Sequence, residues 1–341
     1  MFYFIGIKGA GMSSLACLLK DYGYEVIGSD VEEYFFTEDN LAKHDIPILP
    51  FNKDNIKANY TVIVGNAFFN NEEHVRAQEL GCEIYTYNEY LGLLSRKFNS
   101  IAISGTHGKT TTTNLIKQIL ESKEKINYLI GDGQGGGSKE SNYFVFEACE
   151  YRRHFLKYYP NTLVITNIDY DHPDYFVNIE DVQDAFGKLV AHSKKVVYNG
   201  DDELVKVIIP KDKLSISFGL QADNDFYADN ISNDQRYTYF DLYIKNKYIS
   251  QIKVPLFGTH VVYNSLAALA ATYDIINDID IIKEVLKNFV NSKRRFEELI
   301  INNQVIISDY AHHPTEIKAT LESIHLKYPF KKVIVYFQPH T

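Results

Sequence analysis

Cysteine is scarce in this sequence. Three thiols occur in 341 residues, at Cys17, Cys82 and Cys149, far apart and without a C-x-x-C pair. That spacing excludes a disulfide framework and suits reduced thiols in a cytoplasm. Basic charge is also short: 35 Lys and Arg stand against 44 Asp and Glu, a net charge of −9. A nucleic-acid partner needs a basic face and is not expected. An anionic small substrate remains compatible, held by local cations and backbone amides. No apolar run approaches membrane length, so no membrane insertion is expected. The apolar start MFYFIGIKGAGM has no basic segment before it, which reads as a first strand rather than a signal peptide. Low-complexity tracts and short repeats are missing as well. What remains is an ordinary globular composition, 45% hydrophobic and 23% charged, long enough for two or three domains.

The stretch Ile101–Thr113, IAISGTHGKTTTT, organises the chain. Ile101 to Ser104 reads as a short buried strand. The turn Gly105-Thr106-His107-Gly108 follows, and Lys109, Thr110 and Thr111 open a helix. A phosphate site needs this order, because glycine-rich backbone closes on phosphate oxygens and the helix N-terminus adds partial positive charge. Lys109 is expected to reach the β- and γ-phosphates of a nucleotide and the Thr110 hydroxyl to ligate Mg²⁺. The other reading is a strand–helix turn that happens to carry a lysine.

Short apolar strands alternate with helices from Phe2 to Tyr85, which predicts a parallel sheet with crossover helices. Ligands of such sheets bind at the carboxyl ends of strands. Gly9, Ala10, Gly11, Met12 and Asp30 are placed there. The turn Gly6 to Gly11 is like a dinucleotide fingerprint, but Lys8 replaces the middle glycine, so an oxidoreductase reading is set aside.

Farther on, YFVFEAC (Tyr143–Cys149) predicts a buried strand ending in Glu147 and Glu150. Thr162 to Thr166 predicts another, running into Asn167, Asp169, Asp171 and His172. Carboxylates and a histidine at strand ends suit a metal corner; a polar loop of Asx turns is the other reading. Residues 214 to 256 read as an antiparallel meander. His260 and Asn264 share one face of the following helix and could be a cap or a satisfied core pair. Lys293-Arg294-Arg295 is either a solvated linker or the source of an arginine for a transferring phosphoryl group. Gln304 to Ser308, a helix capped by Thr315, and Lys332 to Phe337 are expected to form a βαβ unit, too small for a core of its own.

Together, GIKGAGMSSLA, GTHGKTTTT, FEACEYRRHF, TNIDYDHPDYF, KRRFE and DYAHHPTE resemble the Mur ligases. Within them the pattern is similar to the Firmicutes-type branch that joins L-alanine to UDP-N-acetylmuramate. The resemblance implies an α/β fold of three domains: a Rossmann-like UDP-sugar domain (1–98), a central phosphate-loop ATPase domain (99–291) and a Rossmann-like C-terminal domain (292–341), here truncated. It implies ATP and Mg²⁺ as cofactors, with Thr110, Glu147 and His172 as metal ligands. Asn264 would meet adenine, Arg295 the γ-phosphate and Asp309 the ATP ribose. Lys8 would add charge beside the UDP diphosphate held at Gly9 to Met12, and His312 and His313 would lie toward the amino-acid site. Catalysis would rest on Lys109, Glu147, His172 and Arg295. The implied enzyme is a cytoplasmic monomer or homodimer of peptidoglycan-precursor synthesis. Alternatives are a muropeptide-recycling relative, a folylpolyglutamate synthetase, which the UDP-type first domain disfavours, and an inactive fragment that binds nucleotide only.

Overall fold

The computed structural model describes residues 1–302 and 304–338. The chain divides into two compact units. The first holds residues 1–102, 124–162 and 191–194, the second residues 103–123, 163–190 and 195–341.

The first unit begins β1 (Phe2–Ile5), α1 (Ala10–Asp21), β2 (Val26–Ser29), α2 (Glu38–Lys43), β3 (Ile48–Leu49), β4 (Thr61–Val64), α3 (Glu72–Glu79), β5 (Glu83–Thr86) and α4 (Tyr87–Lys97). The sheet order is β3-β2-β1-β4-β5, parallel throughout. Every residue of β1 is buried, as a central strand covered on both faces requires. The strand order reverses at β1, so the turn after it opens at the switch point where such sheets bind ligands. β6 (Asn99–Ser104) starts in this unit and ends in the other, where α5 (Lys109–Glu121) follows. The chain then returns to the first unit as β7 (Ile126–Leu129), β8 (Gly135–Gly136) and β9 (Tyr143–Glu147). A Cβ at Gly135 would stand 2.0 Å from the carbonyl of Ser14 on α1, so only glycine permits this approach.

The second unit continues with β10 (Thr162–Ile165), α6 (Ile179–His192), β11 (Lys195–Asn199), α7 (Glu203–Lys206), β12 (Ser215–Gly219), β13 (Phe226–Asn233), β14 (Thr238–Ile244) and β15 (Lys247–Val254). β11, β12 and β13 are parallel neighbours, and β13-β14-β15 is the expected antiparallel meander. Lys245 and Asn246, both with positive φ, form the two-residue turn that matches strand twist. Helices α8 (Thr259–Ile276) and α9 (Ile279–Lys287) follow, α8 being apolar enough to be buried along most of its length.

The last segment departs from the expected βαβ unit. β16 (Glu297–Ile301) and β17 (Gln304–Ser308) form an antiparallel hairpin, and α10 (Pro314–Lys327) follows. Asn302, with φ 50°, makes the reversal that brings both strands side by side. Residues 332–338 form no strand and enter no ladder with the described strands, and without a paired neighbour an apolar run has no sheet to join. Residues 339–341 lie outside the described residues. His313, not Thr315, caps α10: its ring nitrogen accepts the Thr315 N–H at 3.3 Å and Pro314 takes the first helical position. The Ser323 hydroxyl donates to the Phe257 carbonyl at 2.7 Å, fixing α10 within the second unit.

Candidate active site

The loop after β6 has the conformation that its glycines predict. Gly105 and Gly108 have φ of 130° and 81°, and Gly108 is the left-handed N-cap of α5. A Cβ at Gly105 would lie 2.1 Å from Thr166 Oγ1, and one at Gly108 would lie 2.5 Å from Asn264 Oδ1. The Lys109 ammonium folds back over the loop, donating to the carbonyls of Gly105 and Thr106. Thr110 is buried in the first turn of α5. The loop is held from the end of β10. Asn167 accepts the His107 N–H at 2.9 Å and donates to the His107 carbonyl at 3.0 Å, which also accepts from the Thr166 hydroxyl at 2.6 Å. Asp169 N–H donates to Thr106 Oγ1 at 2.8 Å. So the polar strand end supports the phosphate loop through Thr166, Asn167 and Asp169.

Beside this loop is a cavity of about 330 Å³. Of the residues expected to hold the nucleotide, His107, Gly108, Thr111, Asn264, Arg295 and Asp309 line it. They come from the loop, α5, α8 and the segment around the hairpin, so the fold gathers them from positions as far apart in the chain as His107 and Asp309. Its size lies within the range of small-molecule sites. Arg295 reaches Thr110, donating from Nη2 to Oγ1 at 3.5 Å. Asp309 accepts the N–H groups of Phe296 and Ala311, each at 2.8 Å, and burial pushes its carboxyl above the ordinary value. Asn264 is buried, with its amide oxygen facing Gly108.

His107 ties the loop to α10. Its Nε2 lies 3.2 Å from Asp169 Oδ2 and its Nδ1 lies 3.4 Å from Glu316 Oε1. Burial disfavours the imidazolium, but Glu316 and Asp169 outweigh it and raise the His107 pKa. Burial likewise pushes Glu316 up, yet the hydrogen bond from His107, the His312 N–H and the nearby cations bring its carboxyl down to about 2. His313 stacks obliquely beside His107, ring centres 4.7 Å apart, and the His312 ring nitrogen faces the Tyr310 carbonyl. Glu316 escaped the sequence reading; its signal was its place three residues after the cap, where it completes a capping box. Asn167, for which the sequence suggests no role of its own, brackets the loop with its amide.

His172 sits in the same unit with φ 56°, its carbonyl accepting the N–H groups of Tyr175 and Phe176 and its ring near Asp171 at 3.8 Å. The remaining sequence-predicted residues belong to the first unit. Gly9 is the N-cap of α1, and Ala10, Gly11 and Met12 form its first turn. Asp30 accepts the N–H groups of Lys8 and Val31 at 2.6 and 2.8 Å, which fixes the turn after β1. Lys8 corrects the sequence reading. Its ammonium is buried and bound to the carbonyls of Val31 and Glu33 and to Glu38 at 2.9 Å, so its charge is used inside the turn. Glu147 ends β9 and accepts the Gly131 N–H at 2.7 Å.

Three family models match the chain: the Mur ligase family catalytic domain over 1–99, the Mur ligase middle domain over 103–272, and the Mur ligase glutamate ligase domain over 294–341. Among solved structures, the chain is similar to UDP-N-acetylmuramate-alanine ligase of Thermotoga maritima, at 29% identity and TM-score 0.84 over 99% of this chain and 80% of that one. It is also similar to UDP-N-acetylmuramate:L-alanyl-gamma-D-glutamyl-meso-diaminopimelate ligase of Neisseria meningitides, at 27% identity and TM-score 0.74 over 86% of this chain and 99% of that one. A murein peptide ligase from Psychrobacter arcticus, at 24% identity and TM-score 0.78, shares the fold over 97% of this chain and 77% of its own.

Proposed function

Because the chain belongs to the Mur ligase family, whose members are ATP-dependent amide ligases, we propose that it joins L-alanine to the carboxylate of UDP-N-acetylmuramate in peptidoglycan-precursor synthesis. The observation that carries this reading is the gathering of His107, Gly108, Thr111, Asn264, Arg295 and Asp309 on one cavity beside a phosphate loop. Alanine as the amine is favoured by the likeness to an alanine ligase along nearly the whole chain. The division at residues 98 and 291 is part of the proposal.

In this reading the nucleotide lies in the cavity, with Asn264 at the adenine, Asp309 at the ribose and the loop amides of Gly105 to Thr111 on the phosphates. Lys109 leaves its carbonyl partners for the β- and γ-phosphates, and Arg295 offsets charge on the transferring group. A carboxylate oxygen of the muramate attacks the γ-phosphorus and ADP leaves, giving an acyl phosphate. The neutral amine of alanine then attacks the acyl carbon; inorganic phosphate leaves and the amine proton passes to a base, completing the amide. Mg²⁺, when bound, would offset charge on the phosphates; the Thr110 hydroxyl at the head of α5 offers it a hard oxygen, and His172 and Glu147 are proposed as ligands by their motifs alone. Gly9, Ala10, Gly11, Met12 and Asp30, at the switch point of the first sheet, are proposed for the UDP sugar, and His312 and His313 for the amine side. Among the described residues no helix is long and apolar enough to cross a membrane.

A second reading, addition of a tripeptide, is favoured by the likeness to the Neisseria enzyme. The two separate in one competition. Protein is given ATP, Mg²⁺ and UDP-N-acetylmuramate with equal concentrations of L-alanine and L-alanyl-γ-D-glutamyl-meso-diaminopimelate, and products are weighed by mass spectrometry. The alanyl product should dominate; a dominant tripeptide product would contradict the alanine assignment.

A further inference from the structure

We propose that His107, Asp169 and His313 form a site for a borderline divalent cation of the Zn²⁺ class, with Glu316 orienting His107 from behind. The proposal stands on the cluster itself and does not rest on the ligase reading.

All three ligand atoms lie within 4.8 Å of one another. His107 Nε2 is 3.2 Å and His313 Nδ1 is 3.9 Å from the same Asp169 Oδ2. Four-coordinate zinc, with bonds of about 2.0–2.2 Å, sets its donors roughly 3.4 Å apart. A small rotation of the His313 ring therefore closes the triangle. The supporting shell also has the form that metal sites use. Glu316 holds His107 by Nδ1 at 3.4 Å, which turns Nε2 toward Asp169, the carboxylate–histidine arrangement that fixes tautomer and ring orientation. The Thr315 hydroxyl donates to Asp169 Oδ2 at 3.1 Å and fixes the carboxylate. The competing demand on His313 Nδ1 is the long 3.3 Å bond from the Thr315 N–H, weak enough to yield.

Ligand softness selects the ion. Two imidazoles and one carboxylate suit Zn²⁺, Co²⁺ or Ni²⁺, whereas Mg²⁺ takes oxygen and retains its waters. Three protein ligands leave the fourth position open to water or a ligand oxygen. The three come from the phosphate loop, from the segment after β10 and from the cap of α10. A bound ion would therefore fasten α10 to the phosphate loop.

Co²⁺ titration of untagged, chelator-treated protein tests this, because tetrahedral cobalt absorbs strongly in the visible and octahedral cobalt weakly. One equivalent should bind with intense tetrahedral bands, be displaced by equimolar Zn²⁺ and resist an excess of Mg²⁺. His313→Gln and Asp169→Asn should lose the bands while circular dichroism stays unchanged, and His74→Gln, on α3 of the first unit, should keep them. Glu316→Gln, a positioning change, should weaken binding about 10-fold. Absence of tetrahedral bands in the wild type, or bands surviving in both ligand variants, would overturn the proposal and leave the cluster as an ion-pair network.

Discussion

Gly108 shows how one residue sets the conditions for the site. Its φ of 81° is in the left-handed region, and an added Cβ would meet the Asn264 amide oxygen at 2.5 Å. Gly108→Ala should cost about 1–2 kcal/mol in backbone strain alone and displace the residue proposed for adenine. Calorimetric titration should show at least a 10-fold loss of ATP affinity; unchanged affinity would remove Gly108 from the site. Glu316 makes a prediction in pH. Its folded-state pKa of about 2 is below the ordinary 4.5, so its contribution is full above pH 4.5 and is lost as pH falls toward 2. The His107 pKa is raised above 6.5, so its contribution is full below pH 6.5 and is lost as pH rises through the folded value. Both apply together between about pH 4.5 and 6.5. Thermal melts of Glu316→Gln against the wild type should differ most in that window and less at pH 8.5. These residues were legible to different degrees. The glycines announce their φ in the sequence, whereas Glu316 acquires its partner only when α10 meets the phosphate loop.

At the scale of elements, the turn between β1 and α1 replaces the open dinucleotide loop with an internal clasp. Lys8 holds two carbonyls and Glu38 from a buried position. Lys8→Met leaves those acceptors without their cation and should destabilise the first unit by about 2 kcal/mol, less than for a fully buried pair because Glu38 is partly solvated. Urea denaturation measures it, and a change below a few tenths would contradict the clasp. α10 depends on Ser323, whose hydroxyl bonds the Phe257 carbonyl; Ser323→Ala should cost about 1 kcal/mol by the same measurement. The strands β1, β4, β6 and β9 were readable because each is a short apolar run between turn signals. The segment 332–337 has the same composition and forms no strand, since pairing, unlike periodicity, is not a local property. The hairpin strand Glu297–Ile301 was missed for the converse reason: its charged start hid a run that β17 pairs.

Over the whole molecule, three family models follow one another along the chain and the architecture is that of the Mur ligases. The α/β class and its parallel sheets were legible from alternating strand and helix signals. The two compact units were not, because residues 124–162 leave α5 and rejoin the first unit, where Gly135 closes on α1. That pairing depends on the close approach of two backbones, which sequence spacing does not encode. The central claim is that this chain forms an amide from alanine and UDP-N-acetylmuramate at the expense of ATP. The most direct measurement is phosphate release from ATP with UDP-N-acetylmuramate, with and without L-alanine, paired with detection of the amide. Alanine-dependent release in equal amount to the amide is the predicted result. ATP binding with no release under either condition would contradict it.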